Sequence, residues 1–345
     1  MRRIIVSTIN ILGIDIGKST FHLVGHDLSG REVYRKKFSR PKLIQVLSTI
    51  EITTIAMEAC SGCHWLARKC QEFGHKVLLI PPQYVKPYVK TNKNDFIDAD
   101  AIAEAAARPT MRFVSVKTES SQVISVIQRI RSSYVKDRTA CMSRIGATLL
   151  EFGMSFPKSH AKMKVLFQWL AEHGEPIPPM LLLELRDHHD FYLKLNQLIL
   201  TQDKKLKEIV NNDERAQLLK TIPGVGTLTA SRCISDISNV ADFKNGRHLA
   251  AWLGLVPRQF STGGKPTLLG ISKRGNKGLR ELFIHGARAV LVRPEKAVAV
   301  FGNWILELLS RKHFNVVVIA LANKLARIAW SVLSTKQAFE VRVQA

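Results

Sequence analysis

Acidic residues are scarce in this sequence. Twenty-eight Asp and Glu stand against 51 Lys and Arg, leaving a formal net charge of +23 over 345 residues. That deficit calls for a polyanionic partner, nucleic acid before an anionic membrane surface. Cysteines are few and odd in number, five in all. At this length they do not make a secreted disulfide framework, so a reduced, cytosolic setting is expected. A long apolar run is missing as well. The most apolar stretch, Phe314 to Trp330, is broken by Asn315, Asn323 and Lys324. A span needs about 20 nearly continuous apolar residues, so no membrane partner is expected. Near the N-terminus, Ser7, Thr8 and Asn10 interrupt what Arg2 and Arg3 would otherwise introduce as a signal-peptide core. What remains is a chain with 46% hydrophobic residues, enough for a sizeable core and for two or three domains.

The positive charge is unevenly placed. Residues 1–150 carry 23 basic and 12 acidic side chains, residues 151–250 carry 13 and 12, and residues 251–345 carry 15 and 4. Between Asp242 and Glu281 lie 38 residues with eight Lys or Arg and no acid, a run that favours phosphate contact over a merely solvated face. In the neutral middle, Leu181, Leu185, His188, Tyr192, Leu195, Ile199, Gln202, Leu206 and Ile209 recur at spacings of four and three. This heptad seam predicts a long helical arm, either packed on its own domain or forming an antiparallel or dimeric coiled coil. The Pro-rich stretch Glu175-Pro176-Ile177-Pro178-Pro179 starts it and Asn211-Asn212-Asp213 stops it.

The amino-terminal third alternates apolar and polar residues in three runs, Ile11–Ile16, Phe21–Gly25 and Glu32–Phe38. A helix after Pro41, a buried strand Thr53–Met57 ending at Glu58, a helix from about His64 to Phe73 and a strand Lys76–Ile80 follow. A three-stranded meander followed by βαβ repeats is the strand order of a ribonuclease-H-like fold, which sets Asp15 and Glu58 on adjacent strands. Asp95 and Asp98 then open an Ala-rich helix, three residues apart and hence about 60° apart around its axis, whereas Asp100 lies about 140° from Asp95. Four carboxylates converging on one spot repel one another unless cations lie between them. Two Mg²⁺ ions about 3.5–4 Å apart would meet that need and activate in-line attack at phosphorus. Equally, Asp95 and Asp98 could simply cap their helix.

Other motifs in this third carry less. Gly13-Ile14-Asp15-Ile16-Gly17-Lys18-Ser19 resembles a Walker A loop, but it has three residues between its glycines where four are required. Cys60-Ser61-Gly62-Cys63-His64 spells a haem-attachment motif without the export that covalent haem needs. Zinc at Cys60, Cys63, Cys70 and a histidine lacks a second Cys or His pair at finger spacing.

Toward the carboxy terminus, Ile222-Pro223-Gly224-Val225-Gly226 joins two helical segments. This helix-hairpin-helix pattern lets backbone N–H groups at Gly224 and Gly226 approach a phosphate without reading sequence. Further on, glycines flank Ser261 and Thr262, with Arg258, Lys265, Lys273, Arg274, Lys277 and Arg280 around them. A serine attacking phosphorus needs exposure, close backbone approach and cations. The same segment would also serve as a phosphate-gripping loop whose serine only donates a hydrogen bond.

Taken together, these motifs resemble a known family. They are Gly13-Ile-Asp15, Ala56-Met-Glu58-Ala-Cys60, Lys93-Asn-Asp95-x-x-Asp98-Ala99, Ile222-Pro-Gly-Val-Gly226, Gly254-Leu-Val-Pro257 and Ser261-Thr-Gly-Gly264, running on through Ile271-Ser-Lys-Arg-Gly275 to Leu279-Arg280. Over essentially the whole chain the sequence is similar to bacterial insertion-sequence transposases that join a RuvC-like DEDD domain to a carboxy-terminal serine domain, the RNA-guided bridge or seekRNA recombinases. The resemblance implies that Asp15, Glu58, Asp95 and Asp98 hold Mg²⁺, and that Ser261 forms a covalent 5′-phosphoserine link to DNA. It implies double-stranded donor and target DNA, a structured non-coding guide RNA, a homodimer or tetramer, and a bacterial cytoplasmic, nucleoid-associated location. In this chain Thr262 follows Ser261 where many members have a second serine or a glycine, which makes Thr262 the alternative nucleophile. Asp100 is an additional acid, and Cys60 and His64 become packing or supporting groups.

The expected architecture is therefore α/β plus α. It comprises a RuvC-like domain over residues 1–115, a helical linker and coiled-coil arm over 116–212, and a mainly helical serine domain with the helix-hairpin-helix over 213–345. Two other functions suit the same residues, a RuvC-like metal-dependent junction endonuclease and a non-catalytic nucleic-acid-binding scaffold.

Overall fold

The structure, a computed structural model, describes residues 9–90, 94–157, 159–173 and 177–341. Arg2, Arg3, Ser7, Thr8, Lys93, Glu175 and Pro176, used above, lie outside the described residues. The chain divides into two compact units, Met1–Thr118 and Glu119–Ala345.

The first unit is a mixed α/β layer structure. Strands β1 (Ile11–Ile16), β2 (Thr20–His26) and β3 (Glu32–Ser39) form the expected meander. Helix α1 (Arg40–Leu47), β4 (Thr54–Glu58), α2 (Cys63–Glu72), β5 (Lys76–Ile80), α3 (Pro82–Val85) and α4 (Asp95–Ala106) follow. The five strands are ordered β3-β2-β1-β4-β5, with β1, β4 and β5 parallel and β2 and β3 antiparallel. Because side chains alternate across a strand, the two faces bury different sets. Leu12, Ile14, Phe21, Leu23, Ile55 and Met57 pack in one core with Leu43 and Leu47 of α1 and Leu66 and Cys70 of α2. Ile11, Ala56 and Ile80 pack with Ala101, Ile102 and Ala105 of α4 in the other.

Gly13 is what lets α4 sit this close. A Cβ at that position would lie 2.2 Å from the carbonyl oxygen of Ala99 and 2.9 Å from the amide nitrogen of Ala103. The alanines of α4 and the missing side chain of Gly13 are thus two halves of one contact, and it holds the first turn of α4 at the Asp15 end of β1.

The second unit is mostly helical. Two 33-residue helices, α5 (Glu119–Glu151) and α8 (Pro179–Asn211), run antiparallel. Their register is fixed by Arg131 donating to Asp203, Arg138 to Asn196, and Cys141 Sγ to the His188 carbonyl. At one end α6 (His160–Met163) and α7 (Leu166–His173) close a small core around Cys141, Ile145, Leu185 and Tyr192. The buried stripe of α8 departs from the expected seam at two positions. His189, whose Nε2 donates to the Met163 carbonyl at 2.8 Å, is buried in place of half-buried His188, and Val210 is buried more deeply than Ile209. The seam shifts because α8 packs on α6 and α7 as well as on α5, so no single heptad stripe serves its whole length.

The larger core gathers α9 (Glu214–Lys220), α10 (Thr227–Asp236), α11 (Gly246–Trp252), α12 (Lys277–Val290), α13 (Pro294–Phe301), α14 (Trp304–Arg311) and α15 (Phe314–Thr335). An antiparallel pair, β6 (Pro257–Thr262) and β7 (Lys265–Ile271), projects between α11 and α12. By length and composition α15 is apolar enough to cross a membrane, which corrects the sequence-based exclusion of any such segment. Here its stripe from Val317 to Val332 is the centre of the core. Asn323 and Lys324, the polar interruptions, donate to the carbonyls of Leu255 and Phe301 at 3.1 and 2.9 Å.

Candidate active site

Asp15 lies near the end of β1, directly opposite His22 of β2. The β1–β4 register pairs Gly13 with Ala56 and Ile14 with Met57, so the next residues along are Asp15 and Glu58. Over this strand end comes the first turn of α4. Its N-cap is Asn94, whose side chain accepts from the Phe96 amide at 3.0 Å, so the capping position is filled by Asn94 and not by Asp95 or Asp98.

The electrostatics are those of acids forced together. Burial raises the Asp15 carboxyl above its ordinary value, and the negative charges of Asp98 and then Asp95 raise it further, while His22 and the Ile16 amide work the other way. The Cys60 thiol is raised by burial, then by the charges of Glu58 and Asp15, which brings Glu58 into the same neighbourhood.

Among the described residues the grouping able to hold a metal ion is Asp15, His22 and Asp95, whose ligand atoms lie within 4.8 Å of one another. Two hard carboxylate oxygens suit Mg²⁺ or a similar divalent ion, and the repulsion that raises Asp15 is what a cation relieves. Glu58 and Asp98, expected as ligands, stand beside this grouping rather than within it. His22 was not singled out from the sequence. The signal was available, since the short turn after Ile16 fixes the hairpin register and places residue 22 across from residue 15. Phe96 meets the His22 ring edge-on at 4.7 Å, and His22 Nδ1 is 3.5 Å from Asp95. Asp100 faces elsewhere, 2.7 Å from Nε2 of His26.

No cysteine takes part in a metal grouping among the described residues. Cys63 and Cys70 are buried thiols pushed up by burial to about 11 and about 12. The Lys117 amide donates to His64 Nδ1 at 3.2 Å.

In the second unit the segment expected as a loop is a β-hairpin. Gly263 and Gly264, both at positive φ (56° and 77°), make its turn, the conformation that a two-residue hairpin turn requires and that glycine adopts without strain. Every residue from Pro257 to Thr262 is exposed, Ser261 included. Ser261 pairs with Pro266 and Thr262 with Lys265, so the two hydroxyls point to opposite faces. Gln259, on the Ser261 face, donates to Ser261 Oγ at 2.8 Å.

The hairpin base is firmly held. Ser272 N–H donates to the Val256 carbonyl at 2.8 Å, and Lys273 N–H to that of Gly254 at 3.2 Å with Lys273 itself at φ 54°. Asn276 donates to Asp236 at 2.7 Å and caps α12 by accepting from the Leu279 amide. Asp236 in turn pairs with Arg232.

Arg258, Lys265, Lys273, Arg274 and Lys277 are exposed around the hairpin. Arg280 differs. It is buried, and its Nη1 donates to the carbonyls of Leu253 and Arg274 at 2.8 and 3.1 Å, so it shapes the segment from within. Gly226 is the exposed N-cap of α10. Gly224 is a packing contact instead: its positive φ and missing Cβ let it meet the backbone of Gly286 in α12.

Two family models match parts of this chain. Residues 12–154 match the DEDD transposase domain named for IS110, and residues 216–300 match the transposase IS116/IS110/IS902 family. The chain is 44% identical over 331 residues to the transposase for insertion sequence element IS1328 of Yersinia enterocolitica, covering 96% of this chain and 98% of that protein. It is 39% identical over 330 residues to a probable family 20 transposase of Pseudomonas aeruginosa, covering 95% and 98%. To the transposase for insertion sequence element IS1111A of Coxiella burnetii it is 38% identical over 339 residues, covering 98% and 93%. With acids gathered at the ends of the central strands, a serine displayed among cations, and relatives matched nearly end to end, this chain belongs to the IS110/IS116/IS902 family of insertion-sequence transposases.

Proposed function

We propose that this transposase excises and integrates its insertion sequence by cutting and rejoining DNA through a covalent phosphoserine, guided by a structured RNA. The observation that carries the serine step is the hairpin, with Ser261 exposed at the end of an anchored, cation-rimmed strand pair. Ser261 Oγ attacks a backbone phosphorus, forming an Oγ–P bond as the P–O3′ bond breaks. The proton lost from Oγ is balanced by the one that the departing 3′-oxygen gains. Gln259 orients Oγ through its amide, while Arg258, Lys265, Lys273, Arg274 and Lys277 neutralise the phosphate charge. Rejoining reverses these steps with a different 3′-hydroxyl.

Asp15, Glu58, Asp95 and Asp98 would hold Mg²⁺ in a RuvC-like domain over residues 1–115, with His22 beside them. A bound divalent ion there supplies charge neutralisation at phosphate oxygens. Residues 116–212 serve as a coiled-coil arm joining copies in a dimer or tetramer. Residues 213–345 form the serine domain, where the turn at Gly226 grips duplex backbone in helix-hairpin-helix fashion. Partner strands are double-stranded donor and target DNA and a non-coding guide RNA.

The test is a denaturing gel of the protein incubated with donor DNA and Mg²⁺. The parent chain and Thr262→Ala should give a protein–DNA adduct, and Ser261→Ala should give none while still binding DNA. An adduct from Ser261→Ala that Thr262→Ala loses moves the nucleophile by one residue. Free 5′-phosphate ends with no adduct in any variant make the protein a metal-dependent nuclease.

A further inference from the structure

In the second unit α11, α14 and α15 border an open cavity of about 690 Å³ that plays no part in the chemistry above. Arg247, Lys324 and Arg327 line it together with Trp304 and Trp330, and among the described residues no acid does. Arg247 and Arg327 are exposed and make no ion pair among the described residues. The two indoles are pinned by their ring nitrogens: Trp304 donates to the Phe301 carbonyl at 2.7 Å, and Trp330 to that of Phe243 at 3.0 Å. Lys324 lies 5.1 Å over the Trp304 ring, and burial followed by the charge of Arg327 lowers its pKa, a strain that an incoming anion removes.

Fixed aromatic faces beside unpaired cations are what a nucleotide requires when its base has left the stack. The ring plane offers stacking to any base, and the cations take the phosphate. A duplex hides its base faces and has no use for the indoles. We infer that this cavity binds one unstacked nucleotide of a single strand, the phosphate on Arg247, Lys324 and Arg327 and the base against Trp304 or Trp330. The inference rests on the reading of this chain as a nucleic-acid-processing transposase and names where an unpaired stretch is held. Single strands arise both in DNA opened for pairing and in an unpaired part of an RNA, and the two sources share this chemistry.

The test is photocrosslinking of the full chain to short single strands carrying 5-iodouracil, one arm DNA and one arm RNA, with the crosslinked peptide identified by mass. The expected peptide contains Trp304 or Trp330, and the arm that crosslinks identifies the strand. In parallel, Arg327→Glu, an exposed change that spares the core, and Trp304→Ala should each weaken single-strand binding about 5- to 100-fold, with duplex binding reduced by no more than about twofold. Crosslinks confined to other peptides, or unchanged single-strand affinity in both variants, overturn the pocket. Intact Ser261 adduct formation alongside that result leaves transposition standing, whereas a parent chain that binds no nucleic acid at all removes both.

Discussion

The two units present their candidate groups in opposite ways. In the first, Asp15 is half-buried, pressed between a strand partner, a neighbouring strand end and a helix that only a glycine allows so near. In the second, Ser261 is exposed on a hairpin that buries almost nothing, and only its base is tied into the core. The contrast follows from charge. Carboxylates can be crowded only where packing holds them against their own repulsion, so the acid site is built by the core. A nucleophile that must reach the backbone of a large polyanion gains from projecting, so the serine site is built outside the core and is completed by its substrate.

The largest expected effect breaks the acid side alone. Asp15→Asn keeps the shape and removes the charge at the centre of the grouping. Strand cleavage with Mg²⁺ should fall by about 10²–10³-fold, the usual loss for one preorganised electrostatic group, with DNA binding unchanged. Cleavage rates on labelled donor DNA check it, and an unaltered rate would reduce Asp15 to a structural acid.

Next in size is the packing that creates the site. Gly13→Ala places a methyl 2.2 Å from the Ala99 carbonyl oxygen, and this neighbour is backbone that cannot rotate away. Helix α4 must move, at about 2–3 kcal/mol of stability, and Asp95 and Asp98 move with it. Denaturant unfolding should report that loss, and a Mg²⁺ titration should show weakened binding although no ligand was changed. No substitution in β6 or β7 should have a comparable effect on unfolding, because those strands bury almost nothing.

Much of this was legible in the sequence, for reasons that differ between the units. The strands could be read because strand period and turn residues are local, as the match of Ile11–Ile16 and Lys76–Ile80 to β1 and β5 illustrates, and the order of a meander followed by βαβ units then sets β1 beside the distant β4. His22 carries no mark of its own in the sequence, because only the hairpin register that sets it opposite Asp15 brings it to the acids. The hairpin around Ser261 read as a loop because Pro257–Ile271 is exposed on both faces, and without a buried face the two-residue period has nothing to mark it. Arg280 and Gly224 looked like phosphate contacts by residue type. Only the tertiary packing of Leu253, Arg274 and Gly286 against them reveals structural duty.

A smaller effect sharpens the serine side. Gly263→Ala and Gly264→Ala force a side chain into the left-handed region, at roughly 1–2 kcal/mol each. That loss is confined to the hairpin. Adduct formation should slow by about tenfold or less, while the thermal midpoint of the C-terminal unit stays where it is. A drop in that midpoint would mean that the hairpin is part of the core after all.

The smallest effect concerns protons and has opposite signs in the two units. With its folded pKa raised above 3.8, Asp15 binds more protons in the folded than in the unfolded state between those two values. Its contribution to metal-free stability is therefore lost as pH rises through the folded value. Asn at this position removes the penalty, so metal-free Asp15→Asn should be more stable than the parent at neutral pH and equal to it below the unfolded value. The gain should be under about 1 kcal/mol, since the side chain still meets water that screens it. In the second unit Asp213 runs the other way. Burial pushes its carboxyl up, but hydrogen bonds from Arg215 and the Ala216 amide outweigh burial and hold it below 3.8. Its contribution is present above the unfolded value and is lost as acid protonates it, so Asp213→Asn should be less stable than the parent at neutral pH. Unfolding curves of the two variants against the parent, taken without divalent ions from neutral pH downward, should diverge from it in opposite directions. Added Mg²⁺ should reverse the order for Asp15 alone, because only there does the charge that destabilises the empty fold become the charge that holds the ion.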